Sequence, residues 1–320
     1  MAVCAAAQDG AMSKNQNLSG KTIVVTGASS GFGRGSAQKL AELGANVVIA
    51  ARRGDVLEEF AAQITAAGGT AVAVETDVSD PAAVTALAAT AVERFGRIDV
   101  WVNNVGIGAL GLFWEIPVED HARLVDVNLK GLIYGAHAAL RQFLAQGEGV
   151  LVNVGSIDSE VPLAYQASYA ASKAAVLSLS RTLNEELRIV GHHDSIKVGT
   201  IMPWAVDTPW WTHAANYTGH APRMALMDDP SIVIDAIVEA CTDPKEEQPV
   251  GPKARASDVS HHLFPDLTER LSAKIAEAEI DKAGPLPHTT GSIYQSSPEG
   301  TSIGGGLRER MRLEDAAPST

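Results

Sequence analysis

Between Lys21 and about Val250 the chain alternates short β-branched runs with longer, Ala-rich stretches. The runs at 22–26, 46–50, 70–75, 100–103, 150–154 and 196–201 are apolar throughout rather than alternating. That pattern predicts strands covered on both faces, as in a parallel sheet. The intervening stretches 36–43, 56–67, 81–95, 119–146 and 169–190 carry apolar residues at helical spacing. Pro81 after Asp80 marks a helix start, with Asp80 or Ser79 as its cap. The β-α-β-α order predicts an α/β fold, a doubly wound parallel sheet with right-handed crossovers, flanked by helices.

Three segments follow from the change of character along the chain. Residues 1–19 read as a flexible extension, 20–252 as the main α/β domain, and 253–320 as a C-terminal extension. Within the last, 266–282 has the spacing of an amphipathic helix, and 283–320 is rich in Pro, Gly, Ser and Thr. The composition fits an irregular surface tail, or an arm lying over a site or a neighbouring subunit.

Of 320 residues, 46% are apolar and 20% charged, which is enough for a sizeable core and excludes wholesale disorder. The 38 acidic residues outnumber the 25 basic ones, for a net charge of −13. This balance argues against nucleic acid or an anionic membrane as partner, and no apolar run approaches the ~18 residues of a spanning helix. Two cysteines, Cys4 and Cys241, supply neither a disulfide framework nor a metal-ligand spacing, so a reducing cytoplasm is expected. His213, His220 and the adjacent pairs 192/193 and 261/262 have no Cys or carboxylate completing a ligand set, so no metal is expected.

Directly after the first run comes Thr26-Gly27-Ala28-Ser29-Ser30-Gly31-Phe32-Gly33, opening into a helix. Glycines at a strand-to-helix junction allow a tight turn and let backbone N–H groups approach a pyrophosphate. Gly27, Ser29, Ser30, Gly31, Phe32 and Gly33 are therefore candidate cofactor contacts. The second run ends in Arg52 and Arg53, with no carboxylate at its tip to accept from a ribose 2′-hydroxyl. Guanidinium groups suit a 2′-phosphate, which favours NADP(H), while Asp55 just beyond the tip keeps NAD(H) open.

Tyr169 and Lys173 stand four apart, on one face of a predicted helix, and no other tyrosine has a lysine at that spacing. Ser156 follows the run 150–154, and Asn128 lies within the predicted helix 119–146. All would converge beside the carboxyl ends of the strands, where open α/β sheets bind ligands.

Taken in order, these motifs resemble the short-chain dehydrogenases/reductases of the classical subgroup, over about seven-tenths of the chain. The resemblance rests on 26–33, Asp77-Val78, Asn103-Asn104-Val105-Gly106, Asn128, Ser156, Tyr169 with Lys173, and Pro203 with Val206 and Thr208. It implies that Tyr169 exchanges a proton with the substrate oxygen while hydride passes to or from nicotinamide. Lys173 and the oxidised ring would lower the phenol's pKa from about 10. It further implies that Lys173 binds the nicotinamide ribose, that Ser156 holds the reacting oxygen, and that Asn128 keeps a water behind Lys173. Asp77 would meet the adenine and Thr208 the carboxamide, with Val78, Asn104, Gly106, Pro203 and Val206 completing the cofactor site. A Rossmann-like sheet of about seven strands, order 3-2-1-4-5-6-7, and a homodimer or homotetramer built on helices 119–146 and 169–190 are implied as well. The chain departs from the family pattern at Val105, where alanine is usual, and at Trp204, where glycine is usual.

Segments 107–116 and 207–227 should frame the substrate, and four of the five tryptophans fall in or beside them. Trp114, Trp204, Trp210, Trp211 and Tyr217 thus predict a pocket for a bulky, weakly polar carbonyl compound or alcohol. The same aromatics would equally pin loops to the core or to a subunit. The expected function is an NADP(H)-dependent oxidoreductase interconverting a ketone or aldehyde and an alcohol. Two alternatives stand beside it: a non-catalytic NAD(P)-sensing protein, and an interaction protein that uses the C-terminal arm.

Overall fold

The computed structural model describes residues 18–316, so Cys4 and most of the N-terminal extension lie outside the described residues. In chain order the elements are β1 (Thr22–Thr26), α1 (Gly31–Glu42), β2 (Asn46–Ala51), α2 (Gly54–Ala66), β3 (Thr70–Glu75), α3 (Pro81–Phe95), β4 (Val100–Asn103) and β5 (Ala109–Leu110). Then come α4 (Val118–Val125), α5 (Gly131–Gln146), β6 (Gly149–Val154), α6 (Ala167–Ile189), β7 (Ile196–Pro203), α7 (Trp210–His213) and β8 (Ala215–Asn216). The chain ends with α8 (Pro230–Ala240), β9 (Gln248–Val250), α9 (Gly251–Leu263), α10 (Pro265–Lys282) and α11 (Leu307–Ala316).

Seven strands form one parallel sheet in the order β3-β2-β1-β4-β6-β7-β9, and β5 pairs with β8 apart from it. Counted without that small pair, the order is the expected 3-2-1-4-5-6-7. Side-chain alternation explains the apolar runs: Ile23, Val25, Val47, Ile49, Val100 and Val102 pack on one face. Val24, Val48, Ala50 and Trp101 pack on the other. Each such aliphatic side chain stabilises the fold by roughly 1.5–3 kcal/mol when fully buried.

Several elements differ from the sequence expectation. The stretch 119–146 is two helices, α4 and α5, joined by a π turn at Asp126–Lys130 that carries Asn128. The seventh strand is β9, three residues long and too short to show a pattern. Helices α9 and α11 lie outside the expected elements, and 283–306 takes the second of its two readings, an ordered arm, rather than a loose tail. Its backbone pairs Asn216 with Thr289 (2.8 and 3.0 Å) and Ser292 with His213 (2.7 Å), and it buries Ile293 completely. That order comes from distant partners, which local propensity does not register. Asp80 caps α3, accepting from the Ala82 N–H at 2.9 Å ahead of Pro81's turn. No described helix is long and apolar enough to cross a membrane.

Candidate active site

One cavity runs along the carboxyl ends of β1, β2, β4, β6 and β7. The glycine loop and the arginines Arg52 and Arg53 line one end, and Ser156, Tyr169, Lys173 and the tryptophans Trp204, Trp210 and Trp211 line the other. Most candidate residues meet there, including Asp77, Val78, Asn104, Gly106, Pro203, Val206 and Thr208.

The glycine loop is tightly built. At Gly33 a Cβ would sit 2.4 Å from the Gly27 carbonyl oxygen, so only glycine lets α1 start this close to β1. Gly33 therefore backs the loop, while Gly27, Ser29, Ser30, Gly31 and Phe32 line the cavity. Ser30, extended at φ −164°, precedes α1 without a side-chain cap, leaving first-turn N–H groups suited to an anion. Asn104 holds the loop in place: its Nδ2 donates to the Thr26 carbonyl at 2.9 Å and its backbone N–H to Thr26 Oγ1 at 3.0 Å. Thr208 comes over the loop from beyond β7, with its Cβ 3.7 Å from where a Gly31 Cβ would be. Glycines, available N–H groups and arginines at the β2 tip fit a dinucleotide.

At the other end, β6 delivers Ser156, whose Oγ accepts from the Asp158 N–H at 3.1 Å and caps a short 3-10 turn. Helix α6 presents Tyr169 and Lys173 one turn apart. The Lys173 ammonium is buried, donates to the Val154 carbonyl at 2.8 Å, and lies 5.7 Å from the Tyr169 ring centre. Burial pushes Lys173 down to about 8, although the Asp158 carboxylate pulls the other way. Tyr169 is shifted up rather than down: burial and Asp158 raise it, and a hydrogen bond with Ser156 only partly offsets them. The acidified phenol expected from the resemblance calls on the oxidised nicotinamide as well as Lys173; the protein groups by themselves shift Tyr169 up.

Asp158 is the functional residue that sequence reasoning missed. It is buried in the cavity wall, and burial pushes it up to about 7 against the pull of Lys173. The available signal was a lone carboxylate two residues after the strand-end serine.

Three other assignments change. Asn128 is buried, but its amide is committed to the Ile107 N–H (2.8 Å), the Ile107 carbonyl (2.9 Å) and Ser172 Oγ (3.2 Å). It ties the segment after β4 to the π turn and does not line the cavity. Trp114 is 79% exposed and also lies outside the cavity lining, because its loop turns outward ahead of α4. Tyr217 is buried behind the cavity, packed with Ile116, Leu124 and Ile293, and its hydroxyl donates to Asp120. Trp210, by contrast, lines the cavity and packs on Tyr169, with the ring centres 5.1 Å apart. Trp211 donates to the Val206 carbonyl at 3.0 Å.

Asp77 accepts from the Ser79 N–H at 2.9 Å, Ser79 Oγ at 2.7 Å and Arg123 at 3.1 Å. Burial works to raise it, but these bonds prevail and hold the carboxyl below its usual range. Arg52 donates to the carbonyls of Tyr294 (2.8 Å) and Ser292 (2.6 Å). Arg53 donates to Ser29 Oγ (2.9 Å) and to the carbonyls of Ser297 (3.1 Å) and Glu299 (3.0 Å).

Comparison with known proteins agrees with this geometry. The sequence profile of the short chain dehydrogenases matches residues 21–217. An uncharacterized oxidoreductase of Bacillus subtilis, YxnA, is 36% identical over 265 residues, covering 82% of this chain and 74% of the relative. 3beta-hydroxysteroid dehydrogenase 1 of Eggerthella lenta is 40% identical over 195 residues, 60% of this chain and 73% of the relative. Among solved structures, a short chain dehydrogenase/reductase from Burkholderia phymatum in complex with NAD superposes with a TM-score of 0.70 at 29% identity, covering 78% of this chain and 96% of the other. A metagenomic short-chain oxidoreductase in complex with NADP gives 0.61 at 31% identity, covering 72% and 97%. The chain belongs to the short-chain dehydrogenase/reductase family and is an NAD(P)-dependent oxidoreductase.

Proposed function

We propose that the protein interconverts a ketone or aldehyde and an alcohol on a bulky, weakly polar skeleton, with Tyr169 as general acid and base. The observation that carries this reading is the placement of Ser156, Tyr169 and Lys173 on one wall of the cavity that continues to the glycine loop. A bound nicotinamide supplies or accepts the hydride. In reduction, the Tyr169 phenol gives its proton to the substrate oxygen while the Ser156 hydroxyl hydrogen-bonds that oxygen and fixes it for transfer. Lys173, held by the Val154 carbonyl, keeps a positive charge behind the phenol. Burial and Asp158 raise Tyr169, so the phenol is in the protonated form that donation to a carbonyl oxygen requires. Trp204, Trp210 and Trp211 present the apolar surface for the substrate skeleton.

The cofactor we propose is NADP(H), held at its 2′-phosphate by Arg52 and Arg53. A second reading, NAD(H), is favoured by the four backbone carbonyls already hydrogen-bonded to those guanidinium groups. Self-association through α5 and α6 is supported by Ile133 and Leu144, 40% and 46% exposed on α5. The test is nicotinamide absorbance with wild type and Tyr169→Phe over apolar ketones and secondary alcohols, using either cofactor. Turnover by wild type alone, with cofactor binding kept in the variant, supports the proposal. Cofactor binding without turnover in wild type turns the protein into a nucleotide sensor.

A further inference from the structure

The two arginines expected to select a 2′-phosphate face a segment about 240 residues away in sequence. The arm supplies Arg52 with the carbonyls of Ser292 and Tyr294, and Arg53 with those of Ser297 and Glu299. Its Ser302 carbonyl also accepts the Gly31 N–H at 3.0 Å, at the N-terminus of α1 where a pyrophosphate would approach. Ser292, Ser296 and Ser297 line the cavity itself. The arm thus holds the donors that a phosphorylated adenosine would need.

We propose that residues 292–302 are the segment that sets the choice between NADP(H) and NAD(H). The inference rests on the reading that Arg52 and Arg53 face the adenosine ribose. Backbone carbonyls accept hydrogen bonds and cannot donate them. With the arm seated, a ribose 2′-hydroxyl can donate to a carbonyl and so finds a substitute for the carboxylate missing at the β2 tip. A 2′-phosphate has no proton to give at neutral pH beyond its last one and meets carbonyl oxygens on the donors it requires. It must first unseat the arm, so its apparent affinity falls by the fraction of molecules in which the arm is open.

The arm is held at both sides of this span. Ile293 is fully buried and its carbonyl accepts from Arg123 at 3.0 Å. Beyond the span, Asp207 accepts from the N–H groups of Leu307 (2.8 Å) and Arg308 (3.2 Å), anchoring the start of α11. The Arg223 side chain, 1% exposed, joins Glu279 of α10 to Glu314 and Asp315 of α11. At Gly291, φ +53°, a Cβ would lie 2.4 Å from the His213 carbonyl oxygen, so the arm enters against β8's loop by backbone contact.

The experiment uses the intact chain and two probes, 5′-AMP and 2′,5′-ADP, which differ by the 2′-phosphate. Binding is measured by calorimetry for wild type and for Glu314→Gln/Asp315→Asn, which loosens α11 away from the cofactor cleft. The variant is expected to gain about tenfold in affinity for 2′,5′-ADP relative to 5′-AMP, the size of one strong charge-assisted contact released. Hydrogen exchange on the wild type is the second readout: both probes compete with the Ser302 carbonyl for the Gly31 N–H, but 2′,5′-ADP should speed exchange across 292–299 and 5′-AMP should not. An unchanged preference in the variant, with exchange across 292–299 slowed alike by both probes, overturns the arm's role while leaving the cofactor site intact. Failure of both probes to bind sinks the adenosine reading of Arg52 and Arg53, and the arm's role with it.

Discussion

The two ends of the cavity are built on different principles. At the proposed catalytic end, Ser156 directly follows β6, and Tyr169 and Lys173 sit on α6, the helix that comes next in the chain. Their chemistry is set by burial and by one carboxylate, Asp158. At the adenosine end the core supplies donors, Arg52, Arg53 and the Gly31 N–H, but their partners are main-chain carbonyls of the C-terminal arm. One end is tuned by side-chain identity and the other by where a distant backbone lies. Substitutions at the first should therefore alter rate and pH dependence, whereas changes that move the arm should alter cofactor choice.

The sharpest break between the ends is Tyr169→Phe. Losing the proton donor should lower kcat by about 10²–10⁴-fold, while the dissociation constants of both nicotinamide cofactors stay within about threefold. Stopped-flow turnover and fluorescence titration on the same preparation separate the two quantities. A matched loss of cofactor affinity would mean the ends are coupled.

Next in size is Trp210→Ala. Its ring stands 5.1 Å from that of Tyr169 and lines the cavity. Removing it takes away apolar surface for the substrate and the packing that fixes the phenol. We expect kcat/KM for apolar ketones to fall roughly tenfold, with a smaller fall for small polar carbonyls. Equal losses on both substrate classes would assign Trp210 to fixing the phenol alone.

Asp158→Asn tests the electrostatics of the catalytic end. The carboxylate raises Tyr169, so its removal should move the rise of alcohol oxidation to lower pH, read from kcat/KM against pH. It also has a stability signature. Buried, the carboxyl is pushed up to about 7, against an ordinary aspartate near 3.9 when unfolded. Between those values the folded state binds more protons, so wild type loses stability relative to the variant as pH rises from about 4 to 7. By linkage the difference can reach at most about 4 kcal/mol and levels off above pH 7, visible as several degrees in Tm. A difference that shrinks over that range would place the charge elsewhere.

The same contrast explains what the sequence made legible. The parallel sheet is legible in six apolar runs, because burial on both faces leaves a local mark, whereas the strand order came with the family resemblance and the short β9 left no mark. Ser156, Tyr169, Lys173 and the glycine loop were legible because each sits at fixed spacing on one element. Asn128 could be found but its use could not, since the π turn that points its amide at Ile107 has no compositional signature. The arm was least legible of all. Its contacts to Arg52, Arg53 and Gly31 use main-chain oxygens that every residue carries, so no side-chain pattern announces them. Asp158 was visible as a letter, but its effect depends on burial that only the fold creates.

The smallest expected effect concerns a residue whose type alone was misleading. The sequence puts Trp114 and Trp210 alike beside the substrate, yet Trp114 is 79% exposed and outside the cavity, and Trp210 packs on Tyr169. A tryptophan that touches little in the folded chain has little to lose. Trp114→Ala should therefore leave Tm within the ~0.5 kcal/mol typical of surface changes, and kcat/KM within about twofold. The comparison has force because the substitution is the same at both positions and only the surroundings differ. If Trp114→Ala instead lowered kcat/KM for apolar substrates as much as Trp210→Ala, its loop would have to fold over the substrate during turnover. The catalytic end would then share the adenosine end's reliance on a moving segment, and the contrast between the two would narrow to which segment moves.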